Sequence, residues 1–316
     1  MAAGDLSVVP KAKRSALEVL VDDYLMACRA KGLSPSTIDG SYGYPLRGIF
    51  LPWCRDRDVS GLDELNGRTV DAFSVFLMET PGRRGKALSR ASVHAYIRAV
   101  RGFLNWCQRE GETIAARPAL PRLGRRVLDV LDREEIRRLI AAAPSERDRL
   151  ILAVLADCGL RSSELCRLDT GDIVRRDRQA FLLVHGKGSR ERLVPLPPSL
   201  LRGLERYERY TRPKDTRSPR LFLALRRGPA GDYEPLTRSG VLQLVRSAAK
   251  RADLEKSVYS HLLRHSFITN ALRAGMNPIM VAQIVGHSSL RMIERVYSHL
   301  NSGDAYEALM LLLKQD

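Results

Sequence analysis

The sequence predicts a mostly α-helical α+β protein, in which a helical N-terminal domain precedes a mixed domain with a small β-hairpin. Apolar residues recur at helical spacing through residues 15–110. An apolar run at 181–184 and a predicted return strand at 192–195 flank a glycine-containing turn. Helical patterns continue from there towards the C-terminus, and a length of 316 residues suits two domains.

The N-terminal domain is predicted to be a compact set of helices after a loose tail at residues 1–14. Its helices follow from apolar periodicity and from N-cap residues, which accept hydrogen bonds from the first turn of a helix. Four helices are expected: at 16–25, from Pro35 after the N-cap Ser34, at 66–78, and after the N-cap Ser89. The domain is therefore assigned to residues 15–110.

The next segment, 111–129, differs in composition from its neighbours. It contains two prolines, two glycines and four arginines, with no apolar periodicity. This composition is typical of a linker between domains, and here the linker is basic. The second domain is then expected over 130–316.

The second domain is predicted to begin with two helices. Asp132 and Glu135 form a capping-box pattern, and Ser145 with Asp148 loosely repeats it. A short helix follows Arg161, and the hairpin comes next. The later helices are expected near 197–211, 237–251, 260–274, 278–285, 289–299 and 303–314.

The net charge points to a polyanionic partner. Lys and Arg total 52 against 36 Asp and Glu, which gives +16 and a pI near 10. Nucleic acid is the first expectation and an anionic membrane the second, with generic solubility as the alternative. Residues 121–316 hold 35 of the basic and 23 of the acidic side chains. Arginine outnumbers lysine, and its guanidinium suits bidentate contacts with phosphate.

The cysteine pattern and the apolar runs exclude several classes. The five cysteines are widely spaced without a Cys-x-x-Cys pair, which disfavours a disulfide framework or a structural zinc site. No apolar run approaches the ~18 residues of a membrane helix, and no secretory signal is visible. A cytoplasmic protein with reduced thiols is expected.

Four segments contain residue types suited to chemistry on a phosphodiester. In chain order they are GLRSSELCRLDTGDI (159–173), VHGKGSRERLVPL (184–196), HLLRHSFITNAL (261–272) and GHSSLRMIERVYSHL (286–300). Together they resemble the catalytic domain of the tyrosine recombinases, or phage-type integrases, in the minimal two-domain form of the Xer recombinases. The resemblance covers about residues 130–300 and, more weakly, the helical region before them.

The resemblance implies a site-specific DNA recombinase, which takes part in DNA recombination or integration and is often encoded by a mobile element. Its fold would be a helical core DNA-binding domain joined to a mixed catalytic domain. Tyr297 lies ten positions after His287, one more than is common in the family. The matching catalytic positions are Arg161, Lys187, His261, Arg264, His287 and Tyr297.

Breaking a phosphodiester without a metal needs a nucleophile and stabilisation of the charge on phosphorus. Tyr297 would attack and form a covalent 3′-phosphotyrosine. Arg161 and Arg264 would hold the non-bridging oxygens. The covalent link conserves the bond energy, so no ATP is expected. No cluster of Asp, Glu, His or Cys has metal-ligand spacing, so no metal or other cofactor is expected either.

Proton transfer would fall to the other three residues. Lys187, at the tip of the hairpin, would protonate the leaving 5′-oxygen, and His261 would handle the tyrosine proton. His287 would donate a hydrogen bond to the phosphate. His261 and Arg264 are three residues apart, so one helix face presents both.

The partners implied by the resemblance are a double-stranded DNA site and further copies of the chain, as a dimer on each site and a tetramer in the synapse. No membrane partner is expected. The apolar tail at 303–316 would dock as a partner-exchange helix on a neighbouring protomer, or else fold back on its own domain.

Alternatives remain open at this point. A type IB topoisomerase would use similar chemistry on one duplex, and a DNA-binding regulator would have lost catalysis. The pair His261 and His265 has zinc-protease spacing, but Leu262 replaces the required glutamate. His265 is either a structural or a catalytic group. Glu164 is expected to orient a catalytic group or to pair with a nearby cation.

Overall fold

The computed structural model describes residues 14–81, 85, 87–124, 129–186, 191–286 and 310. The chain divides into two compact units, Met1–Arg126 and Val127–Asp316. The boundary lies within 111–129, the segment predicted as a linker. Each unit is described by itself below.

The regular structure described in the N-terminal unit is helical, apart from an isolated bridge between Pro81 and Ala87. Ser15 caps the first helix in a capping box with Glu18, and Asn66 and Ser89 accept hydrogen bonds from the first turns of two later helices. The helices are α1 (Ala16–Ala30), α2 (Pro35–Thr37), two π-helical stretches (Ile38–Gly43 and Leu46–Phe50), α3 (Leu51–Arg55), α4 (Gly67–Glu79) and α5 (Arg90–Arg109).

The core of this unit is rich in aromatic rings. Phe73 packs edge-on against Phe50 and Trp53, with ring centroids 5.2 Å apart in both pairs. The chain after α5 has no helix or strand between residues 112 and 124. Its first part packs back onto α5, where Arg117 donates to Asn105 Oδ1 over 2.7 Å.

The second unit contains the predicted capping box at Asp132, the predicted N-cap at Ser145 and a small sheet. Asp132 accepts from the Glu135 N–H over 2.8 Å, and Ser145 accepts from Asp148 over 3.1 Å. Its helices are α6 (Arg133–Ala141), α7 (Glu146–Asp157), α8 (Ser162–Leu165), α9 (Pro198–Arg206) with a π-helical extension (Tyr207–Thr211), α10 (Arg238–Arg251), α11 (Ser260–Arg273) and α12 (Pro278–Val285).

The predicted hairpin belongs to a three-stranded antiparallel sheet of order β1-β2-β3. The strands are β1 (Ile173–Arg176), β2 (Gln179–His185) and β3 (Glu191–Pro195). Leu182 of β2 lies opposite Ile173 on one side and Val194 on the other. The sequence analysis missed β1, and it also missed the two-stranded ribbon of β4 (Leu223–Arg227) and β5 (Tyr233–Pro235).

The inner face of the sheet joins the core of the second unit. Leu182, Val184 and Val194 are fully buried in one cluster with the apolar faces of α7 and α10. Helix α11 packs on α7 and on α12, where Ile268 and Val281 belong to a smaller cluster. This packing places α8, β3, α11 and the end of α12 around one region.

The predicted fold class, mostly helical α+β, is confirmed. The helices predicted at 289–299 and 303–314 lie outside the described residues, apart from the helical Met310. The described helices include none that is both long enough and apolar enough to cross a bilayer.

Candidate active site

Three of the six predicted site residues lie in the described part of the chain. Arg161 is the N-cap of α8, and His261 and Arg264 lie on the first turns of α11. Lys187, His287 and Tyr297 lie outside the described residues.

The loop before α8 packs closely on α11. Gly159 has a φ of +62°, and a Cβ at this position would lie 2.6 Å from Cδ1 of Phe267 on α11. Only glycine tolerates both the left-handed backbone and this approach. The close packing therefore brings Arg161, two residues further on, to the side of α11.

Arg264 holds two other segments against α11. Its side chain is buried, with Nη1 donating to the carbonyl of Gly159 over 2.7 Å and Nη2 donating to the carbonyl of Val285 over 2.6 Å. These bonds use two of the five donors of a guanidinium. Burial, with the nearby charge of Arg161, lowers the pKa of Arg264 to about 9, so the group is still a cation at neutral pH.

Glu164 is a buried carboxylate among these arginines, with 3% of its surface exposed. It accepts from the backbone N–H of Arg161 over 2.9 Å and from Arg161 Nη1 over 2.8 Å. Its Oε2 also lies 4.0 Å from Nη1 of Arg264. The expectation that Glu164 pairs with a nearby cation is thus confirmed.

A third arginine, Arg192 of β3, completes this cluster. Its Nη1 and Nη2 donate to the two carboxylate oxygens of Glu164 over 3.0 and 2.9 Å. Burial opposes the ionisation of Glu164, but hydrogen bonds from Arg192 and Arg161 outweigh it and lower the pKa of Glu164 to about 2. The carboxylate is therefore ionised at any pH at which the protein would work.

The sequence analysis did not single out Arg192, although one signal was available. Side chains two apart on a strand share a face, so Arg192 shares the face of the buried Val194. Its partner across the sheet, Val184, is fully buried as well. A charged residue on an inward face requires a buried partner of opposite charge, which Glu164 supplies.

His261 lies on the exposed side of the first turn of α11. Partial desolvation of the ring, reinforced by the charges of Arg264 and Arg161, lowers the pKa of His261 below its ordinary 6.5. The imidazole is then mostly neutral at pH 7 and can accept a proton. His265, one turn further along the same helix, is half-buried.

The arrangement suits a phosphate. Arg161 is still 36% exposed at its side chain, while Arg264 and Glu164 lie behind it in the protein. Guanidinium groups held by hydrogen bonds bind phosphate oxygens bidentately with little loss of side-chain freedom. In the part of the chain that the structure describes, no group of three or more His, Cys, Asp or Glu side chains could hold a metal ion.

Comparison with known proteins identifies the family. The model of the phage integrase family matches residues 129–303. Tyrosine recombinase XerA of Thermococcus onnurineus is 31% identical over 277 residues, which cover 87% of this chain and 89% of that protein. Tyrosine recombinase XerD of Staphylococcus haemolyticus is 29% identical over 298 residues, with coverages of 90% and 95%.

The fold is shared with a solved recombinase assembly. A lambda integrase tetramer bound to a Holliday junction matches with a TM-score of 0.68 and 19% identity, covering 89% of this chain and 77% of that one. The match of the family model covers more than half of the chain, and the similarity to XerA extends over most of it. The chain belongs to the phage integrase family and is a site-specific tyrosine recombinase.

Proposed function

We propose that this recombinase cleaves DNA by attack of Tyr297 on a phosphodiester and exchanges strands between two duplexes. The observation that best supports this proposal is the cluster of Arg161 and Arg264 beside the buried carboxylate of Glu164. It provides fixed positive charge at the meeting point of α8 and α11, where a scissile phosphate would bind.

The two arginines act on the charge that develops at phosphorus. Arg161 and Arg264 bind the non-bridging oxygens and stabilise the pentacovalent transition state more strongly than the ground state. Because both guanidiniums are already held by hydrogen bonds, little reorganisation is needed when the charge appears. This preorganisation takes the place of a metal ion in the mechanism.

Each bond that breaks in this reaction is matched by a bond that forms, and no cofactor is needed. The Tyr297 oxygen forms a bond to phosphorus, the bond to the 5′-oxygen breaks, and a 3′-phosphotyrosine with a free 5′-hydroxyl results. His261, neutral at pH 7, takes the tyrosine proton, Lys187 protonates the leaving oxygen, and His287 hydrogen-bonds the phosphate. The 5′-hydroxyl of the partner strand then reverses these steps and joins the exchanged strands.

The partners are duplex DNA and further copies of the chain. The charge of +16 favours binding to phosphate backbones. A dimer on each site and a tetramer in the synapse are proposed by analogy with the lambda integrase tetramer on its junction. The apolar tail at 303–316 would link neighbouring protomers in this tetramer.

The cytoplasm is the proposed location, because the substrate is DNA and the five cysteines, four of them buried, are all unpaired. A mobile element is a further proposal for the DNA on which the enzyme acts. The proposal of a mobile element rests on the resemblance to the recombinases.

A nicked suicide DNA site tests the proposal directly. Cleavage of such a site releases a short fragment and traps the covalent protein–DNA adduct, which is visible on a denaturing gel. Tyr297→Phe should abolish the adduct and leave DNA affinity nearly unchanged. Tyr210→Phe, at a tyrosine that is 74% exposed, is the matched control and should form the adduct normally.

Two results would contradict the proposal. An adduct formed by Tyr297→Phe would refute the nucleophile. Relaxation of supercoiled DNA without any product that joins two duplexes would favour a topoisomerase.

A further inference from the structure

Arg192 connects three separate segments of the second unit. It belongs to β3, the strand that leaves the hairpin, and its Nη1 and Nη2 donate to Glu164 at α8 over 3.0 and 2.9 Å. Its Nε donates to the carbonyl of Ile284 in the last turn of α12 over 2.7 Å. The side chain is only 13% exposed, so these contacts are shielded from water.

The end of α12 is shaped around this guanidinium. Gly286 closes the helix with a φ of +67°, and a Cβ there would lie 3.0 Å from Nη1 and 3.1 Å from Nε of Arg192. The same end of α12 receives Nη2 of Arg264 through the carbonyl of Val285. Two arginines from different elements therefore hold the residues that directly precede position 287.

We infer that Arg192 is a positioning residue for the cleavage step. It holds Glu164 so that this carboxylate orients Arg161 towards the phosphate, and it fixes the end of α12, from which His287 follows. The inference rests on the proposed function, because it gives Arg192 a purpose only if Arg161 and His287 act on a phosphodiester. Arg192 itself binds protein groups and does not bind DNA.

The geometry explains why one residue affects two catalytic groups. Each carboxylate oxygen of Glu164 accepts one hydrogen bond from an Nη atom of Arg192. Each also accepts one from Arg161, Oε1 from Nη1 and Oε2 from the backbone N–H. Without Arg192 the carboxylate would keep only its hydrogen bonds with Arg161 and could rotate. A small displacement of a phosphate-binding group can reduce a rate by about 100-fold.

The electrostatics of Glu164 give an independent signature. Among the described residues, the charged groups that face it are Arg161 from α8, Arg192 from β3 and Arg264 from α11. Desolvation alone would raise the pKa of Glu164, and the hydrogen bond from Arg192 is the largest influence that lowers it. Loss of Arg192 therefore raises the pKa of this carboxyl.

A matched control exists in the same unit. Arg147 of α7 is also buried and pairs with Asp148, with Nη2 2.6 Å from Oδ1, and it too donates to a backbone carbonyl, that of Leu223 on β4. It thus has one carboxylate partner and one carbonyl partner, like Arg192, but these partners belong to α7 and β4. Arg147 therefore serves as a buried arginine with a purely structural role.

The test is single-turnover cleavage of the suicide site at saturating DNA, with Arg192→Gln compared with Arg147→Gln and the wild type. We expect Arg192→Gln to cleave about 10- to 100-fold more slowly, with DNA affinity within about 3-fold of the wild type. Arg147→Gln should lose stability but cleave at nearly the wild-type rate once saturated. If glutamine prevents folding, Arg192→Lys and Arg147→Lys replace the pair, since lysine keeps the charge but not the bidentate contact.

A double-mutant comparison separates positioning from loss of stability. If Arg192 acts through Glu164, adding Arg192→Gln to a protein that already contains Glu164→Gln should slow cleavage much less than adding it to the wild type. Equal cleavage rates for the Arg192 and Arg147 variants, or an Arg192→Gln effect of the same size with and without Glu164→Gln, would overturn the inference. A wild-type protein that binds DNA but forms no adduct would instead refute the proposed function itself.

Discussion

Replacing Glu164 by glutamine should cost the protein about 3 kcal/mol of unfolding free energy at pH 7. The pKa of this carboxyl is about 2 in the folded protein against an ordinary 4.5, a difference of about 2.5 units. Each unit corresponds to about 1.4 kcal/mol, so ionisation of Glu164 stabilises the fold by about 3 kcal/mol. Glutamine has nearly the same shape but leaves Arg192 and Arg264 without their counter-charge, and breaking such a buried pair typically costs about 3–5 kcal/mol.

The cost should depend on pH in a defined direction. A carboxyl whose pKa is lower in the folded than in the unfolded state contributes fully above its unfolded pKa and loses its contribution as the pH falls. For Glu164 this window runs from 4.5 down to about 2. The difference between the wild type and Glu164→Gln should therefore shrink to about 1 kcal/mol at pH 3.

Urea unfolding followed by far-ultraviolet circular dichroism at several pH values measures this difference. Tryptophan fluorescence would not suffice, since both tryptophans, Trp53 and Trp106, lie in the N-terminal unit. Glu134→Gln is the control, because this carboxylate is 60% exposed and pairs with Arg137 at the surface. It should change stability by less than about 0.5 kcal/mol at every pH. A cost below about 1 kcal/mol for Glu164→Gln at pH 7, or one independent of pH, would refute the reasoning.

Three further predictions concern the loop before α8, the chemistry and the tail. Gly159→Ala should lower stability by about 1–3 kcal/mol, seen as a lower Tm, because its φ is +62° and the new Cβ would meet the Phe267 ring at 2.6 Å; an unchanged Tm would contradict this. Formation of the Tyr297 adduct should proceed in excess EDTA without nucleotide, and restoration by magnesium after chelation would point to another mechanism. Deleting residues 303–316 should spare the binding of one protomer to DNA but sharply reduce cooperative binding in gel-shift assays. Recombination at the full rate by the truncated protein would instead show that the tail only packs in the core of its own domain.

The features that the sequence predicted well are local ones. The caps at Ser34, Ser89, Asp132 and Ser145 were predicted because each accepts from a backbone N–H only three residues away. The hairpin strands were equally visible, since β2 and β3 are neighbours in the chain. In each case the residues that determine the structure lie within one short window.

The features that the sequence did not reveal depend on distant partners. Strand β1 is only four residues long, and its second half, Arg175 and Arg176, is exposed and has no apolar alternation. The contact from Arg192 to Glu164 joins residues 28 apart, and that from Arg264 to Gly159 joins residues 105 apart. The four motifs indicated which residues gather at a site, but periodicity could not show what holds them there.

The charges of the cluster explain why a carboxylate lies among arginines that are meant to bind an anion. Arg161, Arg192 and Arg264 around Glu164 give three positive charges and one negative charge, so a net charge of +2 remains. Without Glu164 the three guanidiniums would repel one another, and Nη1 and Nη2 of Arg192 would lose their acceptors. With it, they are fixed before DNA arrives, and the remaining positive charge is still available for the phosphate and for the further negative charge of the transition state. Glu164 thus provides both folding stability and preorganisation, which is why stability and cleavage should respond together when it or its arginine partners are changed.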